Sequence, residues 1–432
     1  MQFSHLLFVS NFFFAFCLVS CLSMGIQFST DTESFDRDTL HTHLVILVHG
    51  YKGTEQDFTY LENTMRRQAH PEAKFIIYRS SCNYGKTFDG IRNGGERLAF
   101  EVEEEVQKIE GLVKLSFVGH SLGGLYSRYA ISLLDLKTRV TPTIFCTTTT
   151  PHLGCCNHTY VPIPRWAETT VGSLMADTGK DLFCMNSIIQ EMGTKEQYLD
   201  PLRRFKTRIA IANAFATDIL VPVSTAAFLS QQSTYPHTTL PKNERYVLAL
   251  RTDFQENYDK EDVSQSLDSL GWVKLFLDVR DSIPLPSIPI PFMKAVDIPD
   301  KPIWISKELI PVLNQIGSRW HIPLGHPVAV ANSRTNFYSW MTSRGQLFMD
   351  QVAQDLLTLM EIPLADGTSK SIPNYPREAS EMEIKSQSLE GLSNSIGVAE
   401  EESGNQIDNS CISEEYGCNI HKKELHSNVD LE

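Results

Sequence analysis

The chain has 432 residues, of which 42% are hydrophobic, enough to bury the core of one large domain or two ordinary ones. Its formal net charge is -14, from 38 Lys and Arg against 52 Asp and Glu. A protein that reads nucleic-acid phosphates concentrates basic residues, so nucleic acid is excluded as a partner, and the acidic cluster Glu101 to Glu105 reads as a solvated helix face.

The first 26 residues form an apolar leader with no Asp, Glu, Lys or Arg before Asp31. Its length suits a signal peptide or an uncleaved membrane anchor, although the basic residues usual at such a start are missing, which leaves a cytosolic start as the third reading. "LVSC" (18–21) also fits a lipoprotein cleavage box. The expected location is therefore the secretory pathway or a membrane anchor, with a cytoplasmic, lipid-associated protein as the alternative. The nine cysteines are scattered, without CxxC pairs for structural zinc. Cys155 and Cys156 are adjacent and poorly placed to bond each other, whereas Cys411 and Cys418 could close a small loop. Asn157-His158-Thr159 is a glycosylation sequon that matters only if the chain is secreted.

From about residue 40 short β-rich runs alternate with helical ones, the pattern of a parallel sheet with crossover helices. "HLVILVHG" (43–50) and "FIIYRS" (75–80) are the first strands, separated by the helical run "TEQDFTYLENTMRRQ" with Thr54 as its cap. A long helix within "FDGIRNGGERLAFEVEEEVQKIEGL" leads to the strand "KLSFVG", a helix from Leu122 and the strand "PTIFCTTTT". Further strands are expected in "TRIAIANAF" (207–215), "YVLALRTD" (246–253) and "HPVAVAN" (326–332). All are apolar on both faces, as strands buried from both sides should be. A last helix fits "MTSRGQLFMDQVAQDLLTLMEI". Residues 160–205 read as a helical cap. Residues 281–302 are too proline-rich for regular structure and read as a semi-rigid linker rather than an apolar flap. From 365 to 432 the acidic, Ser- and Asn-rich tail offers too few large apolar residues to offset its ordering entropy and is expected to be disordered. No internal repeat is present.

The chemistry concentrates in Gly119-His120-Ser121-Leu122-Gly123. A serine hydroxyl is a weak nucleophile unless a base takes its proton and the backbone holds its oxygen clear, and a sharp strand-to-helix turn flanked by glycines does the latter. The helix from Leu122 also directs its amino-terminal amides at the place where an oxyanion would form. The acid should follow a later strand, and the base should come after the acid. Asp218, just past "TRIAIANAF", fits better than Asp200, Asp253 or Asp278. His326 fits better than His237 or His321, which lie in Pro-flanked loops. Oxyanion donors are expected from the amides of Tyr51, after "LVHG", and Leu122. His49, His120 and His152 invite a metal reading but lack ligand spacing; no metal and no other cofactor is expected.

"LVILVHGYKGTEQDF", "FVGHSLGGLYSRYAI", "TTTTPHLG", "SLMADTGKDLF" and "PLRRFKTRIAIANAFATDILVPVSTAAF" together resemble the "putative serine esterase" family of lipase-like α/β hydrolases, with plant, fungal and protist members. The resemblance covers about residues 43–280 and resumes near His326, after a proline-rich stretch longer than the family pattern. It implies an α/β-hydrolase fold over 38–364, a mostly parallel central sheet with helices on both faces and a helical cap. It further implies hydrolysis of carboxylic esters of lipids, acylglycerols or phospholipids, through an acyl-enzyme on Ser121, with Asp218 and His326 completing the triad. A membrane or lipid-droplet surface is an expected partner. Acyl transfer to an alcohol or lysolipid by the same triad is the nearest alternative, and a catalytically silent adaptor with this fold is the rival of another class.

Overall fold

Leu44, Ile46 and Val48 pack with Phe117 and Phe145 into one buried cluster, while the intervening Val45 and Leu47 pack with Val118, Ile144 and Ile209 into another. That alternation, apolar on both sides, belongs to strands with covered faces. A computed structural model describes residues 43–136, 140–156, 165–214, 217–218, 220–229, 246–280, 282, 288–289, 319–320 and 325–365. Strands β1 (His43–Val48), β2 (Phe75–Arg79), β3 (Lys114–His120), β4 (Thr141–Thr148), β5 (Thr207–Asn213), β6 (Tyr246–Arg251) and β7 (Val273–Leu277) form one sheet in the order β2-β1-β3-β4-β5-β7-β6. All pairs are parallel except β6 against β7.

Parallel neighbours need crossovers, and the helices supply them on both faces. Helix α1 (Thr59–Gln68) follows a short 3-10 turn at Glu55–Phe58, whose cap is Thr54: its hydroxyl accepts from the Gln56 amide, and the Asp57 carboxylate returns to the Thr54 amide. Leu61 and Met65 of α1 lie against the same sheet face as Val352 and Leu356 of the final helix, Gln346–Leu359. Helix α2 (Ile91–Lys108) and helix α3 (Leu122–Ala130) cover the other face. They approach closely because Gly94 and Gly95 leave room for the rings of Tyr126 and Tyr129; a Cβ at those glycines would come within 2.2 and 2.5 Å of them.

Four helices, Arg165–Leu174, Ala176–Leu182, Ile188–Thr194 and Glu196–Arg203, make the cap. Its second helix grips the segment before α2: Thr178 donates its amide to the Phe88 carbonyl, and Asp181 accepts the Ile91 amide at 2.6 Å. The sheet order, the crossover helices on both faces and this cap make an α/β-hydrolase fold.

Two sequence expectations change. The run 326–332 is a 3-10 helix, His326–Val330, rather than a strand. Pro327 has no N–H for a ladder, and the buried Val328 and Val330 report burial against the sheet, not membership of it. The strand beside β5 is instead β7, in "WVKLFLD", whose buried Lys274 pairs with Asp268 at 2.9 Å. The location expected from the leader is also corrected. Among the described residues no helix is long and apolar enough to cross a membrane. Helix α2, the longest of those named above at 18 residues, carries Arg92, Arg97, Glu101 and Glu103 to Glu105 along its length. The leader 1–26, the sequon at Asn157 and the tail from 366 lie outside the described residues, as does the proline-rich segment apart from Ser282 and the two-residue strand Ile288–Pro289, paired antiparallel with Arg319–Trp320.

Candidate active site

β3 ends in the glycine-rich knot, and Ser121 turns the chain into α3 with φ 55° and ψ -126°. A residue with a side chain held at such a φ carries strain of about 1–3 kcal/mol, sustained only where its neighbours over-determine the backbone. Here they do: the Ser121 amide donates to the Thr148 carbonyl at 2.9 Å, and the Ser121 carbonyl accepts the Gly124 amide at 3.1 Å. The flanking glycines are steric requirements. A Cβ at Gly119 would sit 2.6 Å from the Gly124 backbone, and one at Gly123 would sit 2.1 Å from the Val48 carbonyl oxygen.

Asp218 follows β5 and is fully buried. One carboxylate oxygen accepts the amides of Leu220 and Val221, both at 3.0 Å, and the other faces His326 Nδ1 at 2.7 Å and accepts from the Asn213 side-chain amide at 3.2 Å. The pair is also fixed through the backbone, since the Gly325 amide donates to the Thr217 carbonyl at 2.7 Å, one residue before each partner. A Cβ at Gly325 would meet that carbonyl at 2.7 Å, so glycine permits the docking. Among the rivals, Asp200 pairs with Arg204 and Arg203, and Asp278 binds its neighbour Arg280 at 2.6 Å. His237 and His321 lie outside the described residues.

The His326 ring packs against the His120 ring with centroids 4.7 Å apart, which sets the imidazole beside the residue preceding Ser121. His120 Nδ1 lies 3.1 Å from the Thr148 hydroxyl and 3.3 Å from that of Thr149. Burial, helped by the neighbouring His326, holds His120 well below the ordinary histidine range, so it is a neutral packing partner near pH 7. The loop after β1 also approaches Ser121. A Cβ at Gly50 would fall 2.6 Å from that of Ser121. The Gly53 amide closes a turn on the Gly50 carbonyl at 3.0 Å, Lys52 at its centre has φ 52°, and its amide donates to the Thr87 hydroxyl. Tyr51, within this turn, sets its ring edge-on to Phe88 at 5.0 Å. Leu122 opens α3, where the first N–H groups have no carbonyl of their own helix to bind.

Tyr51, Ser121 with Leu122, and Asp218 follow β1, β3 and β5 at the carboxyl end of the sheet, the edge where α/β folds place ligands, and His326 meets Asp218 and the His120 ring there. Asn213, which steadies the Asp218 carboxylate, escaped the sequence reading, though a polar residue ending the apolar run "IAIAN" is a visible signal. Among the described residues no group of three or more His, Cys, Asp or Glu could hold a metal. His152 is held by Thr147 at 2.9 Å through Nε2 and lies 3.3 Å from the buried Arg128 through Nδ1, an arrangement of the fold interior.

Residues 39–232 match the family model described as "Putative serine esterase (DUF676)". The chain is similar to "Putative lipase ROG1" of Saccharomyces cerevisiae, 32% identical over 203 residues that make up 43% of this chain and 28% of that protein. It is also similar to "Putative lipase C4A8.10" of Schizosaccharomyces pombe, 28% identical, with 43% and 26% covered. The chain therefore spans less than a third of the length of these relatives. Among solved structures it is similar to the Bacillus licheniformis lipase BlEst2 at 20% identity and a TM-score of 0.30, over 40% of this chain and 38% of that one.

Proposed function

Because its residues 39–232 match the serine esterase family model, we propose that the chain hydrolyses carboxylic esters of lipids, with Ser121 as nucleophile, His326 as base and Asp218 as the acid that orients it. The observation that carries this reading is the 2.7 Å contact between His326 Nδ1 and a fully buried carboxylate, in an imidazole packed beside the strained Ser121 turn. With Nδ1–H donating to Asp218, Nε2 carries the lone pair and can accept the Ser121 proton.

Ser121 Oγ attacks the ester carbonyl carbon while its proton passes to His326 Nε2. The carbonyl electrons move to oxygen, and the amides of Tyr51 and Leu122 stabilise that oxyanion. On collapse the ester C–O bond breaks, the imidazolium gives its proton to the leaving alcohol, and an acyl-enzyme remains. Water, deprotonated by the same histidine, attacks the acyl carbon and frees the acid and Ser121. An apolar acyl group is supported by the cap, whose first helix exposes Trp166, Val171 and Leu174.

Hydrolysis of p-nitrophenyl butyrate and of an acylglycerol and phospholipid panel by the wild type, abolished in Ser121→Ala, is the expected result. Turnover that survives Ser121→Ala, or a wild type inert toward every ester, would overturn the proposal. Adding an alcohol acceptor to the same assay separates hydrolysis from acyl transfer through the products formed.

A further inference from the structure

Eight residues beyond His326 the chain reaches the loop after β1. Arg334 places Nη1 3.1 Å from the Lys52 carbonyl and 3.5 Å from the Asp57 carboxylate, and its guanidinium lies 4.4 Å from the centre of the Tyr338 ring. The Lys52 carbonyl belongs to the Lys52–Gly53 peptide unit, one residue beyond Tyr51, in the turn whose first residue, Gly50, packs closely against Ser121. Asp57 is only 3% exposed and also accepts the Thr54 amide at 3.3 Å, at the far end of that turn. On the other side, the Arg334 amide donates to the Asn332 side-chain oxygen at 3.1 Å, and Thr342 donates to the Asn332 carbonyl at 2.8 Å. One guanidinium therefore joins the segment that carries His326 to the loop that carries Tyr51.

We infer that Arg334 is a positioning residue that clamps the Gly50–Thr54 loop to the His326 segment, so that the oxyanion donor and the base keep a fixed separation. The inference rests on the hydrolase reading above. Both acceptors face one terminal nitrogen, Nη1, while the planar guanidinium lies over the Tyr338 ring, a combination of hydrogen bonding and ring contact that a compact lysine ammonium on a shorter stem does not reproduce. Asp57 gains from the same contact: burial pushes its carboxyl up, and Arg334 is first among the groups that draw it back down. Backbone donors act only when aimed at the oxyanion, and a displacement of about 1 Å costs on the order of 100-fold in rate.

The test uses the full chain as wild type, Arg334→Ala and Arg334→Lys. Three quantities are read: kcat and KM for p-nitrophenyl butyrate, the Ki of butylboronic acid, and the melting temperature. The boronate adds to a serine hydroxyl as a tetrahedral adduct and so probes the oxyanion site without turnover. Arg334→Ala is expected to lower kcat by about 10- to 100-fold with KM within about twofold, and to weaken boronate binding by a similar factor; Arg334→Lys falls between it and the wild type. A kcat and Ki both within about twofold of wild type overturn the inference, as does a loss of kcat that leaves Ki unchanged. If Arg334→Ala does not fold, Arg334→Lys decides, and full activity in it overturns the clamp. A wild type that neither cleaves the ester nor takes up the boronate overturns the hydrolase reading and this inference with it.

Discussion

Replacing Asp218 by Asn changes one atom's chemistry in a buried carboxylate whose two oxygens both accept hydrogen bonds. The wild-type carboxylate accepts on both sides: the Leu220 and Val221 amides on one oxygen, His326 Nδ1 and the Asn213 amide on the other. An asparagine has one acceptor and one donor group. Its oxygen must face the two backbone amides, because turning the NH2 toward them would set donor against donor in a fully buried position. The NH2 then points at His326 Nδ1, which can be satisfied only if that nitrogen accepts. The imidazole is thereby locked with its proton on Nε2, the atom that must take the proton of Ser121. The expected loss is about 10,000-fold in kcat, or about 5 kcal/mol of transition-state stabilisation, with the fold retained because the two backbone amide contacts survive and Asn213 can turn its unpartnered side-chain oxygen toward the new NH2. Steady-state hydrolysis of p-nitrophenyl butyrate, alongside a thermal melt, reads both quantities. A kcat within about tenfold of wild type, in a background where Ser121→Ala is inactive, would refute Asp218 as the orienting acid.

Gly50→Ala places a methyl group 2.6 Å from Ser121 Cβ and 2.9 Å from the His120 carbonyl. The loop or the serine must yield, and kcat is expected to fall about 100-fold with about 1–3 kcal/mol of stability, read from the same assay and a urea titration; unchanged kcat contradicts the close approach. The buried His43, whose Nε2 lies 2.8 Å from the Ser116 hydroxyl, is held down to about 4, first by burial and then by Lys114. Its unfolded value is the higher one, so the contribution of its neutral form is complete above about 6.5 and is lost as pH falls toward 4, by an amount on the order of 3 kcal/mol. Urea midpoints at pH 7 and 4.5 should differ less in His43→Gln than in the wild type; an identical acid limb contradicts this. Loss of the Arg334 clamp should appear in kcat and boronate affinity together, as set out above.

The parts of the site that lie close in sequence were legible, since a strand, a glycine-flanked serine and a helix are one local device. The pairing of Asp218 with His326 was legible too, because Asp218 follows a strong buried run. The secondary structure around His326 was not. Val328 and Val330 carry the apolar signature of a strand, yet that signature reports only that a side chain is buried, and a 3-10 turn lying on the sheet satisfies it equally. The same ambiguity hid β7, where Lys274 interrupts the apolar run but is buried beside Asp268 and over the Phe228 ring at 4.6 Å. Arg334, Asn332 and Asp57 carried no motif at all: their meeting depends on two loops separated by more than half the chain, which neither periodicity nor local spacing encodes.

The most direct measurement is reaction of the intact protein with a fluorophosphonate probe, followed by mass-spectrometric mapping of the modified peptide. One stoichiometric adduct is expected, on Ser121, that disappears in Ser121→Ala and forms far more slowly in Asp218→Asn. No adduct on the folded wild type, or an adduct on another residue that persists in Ser121→Ala, would contradict it.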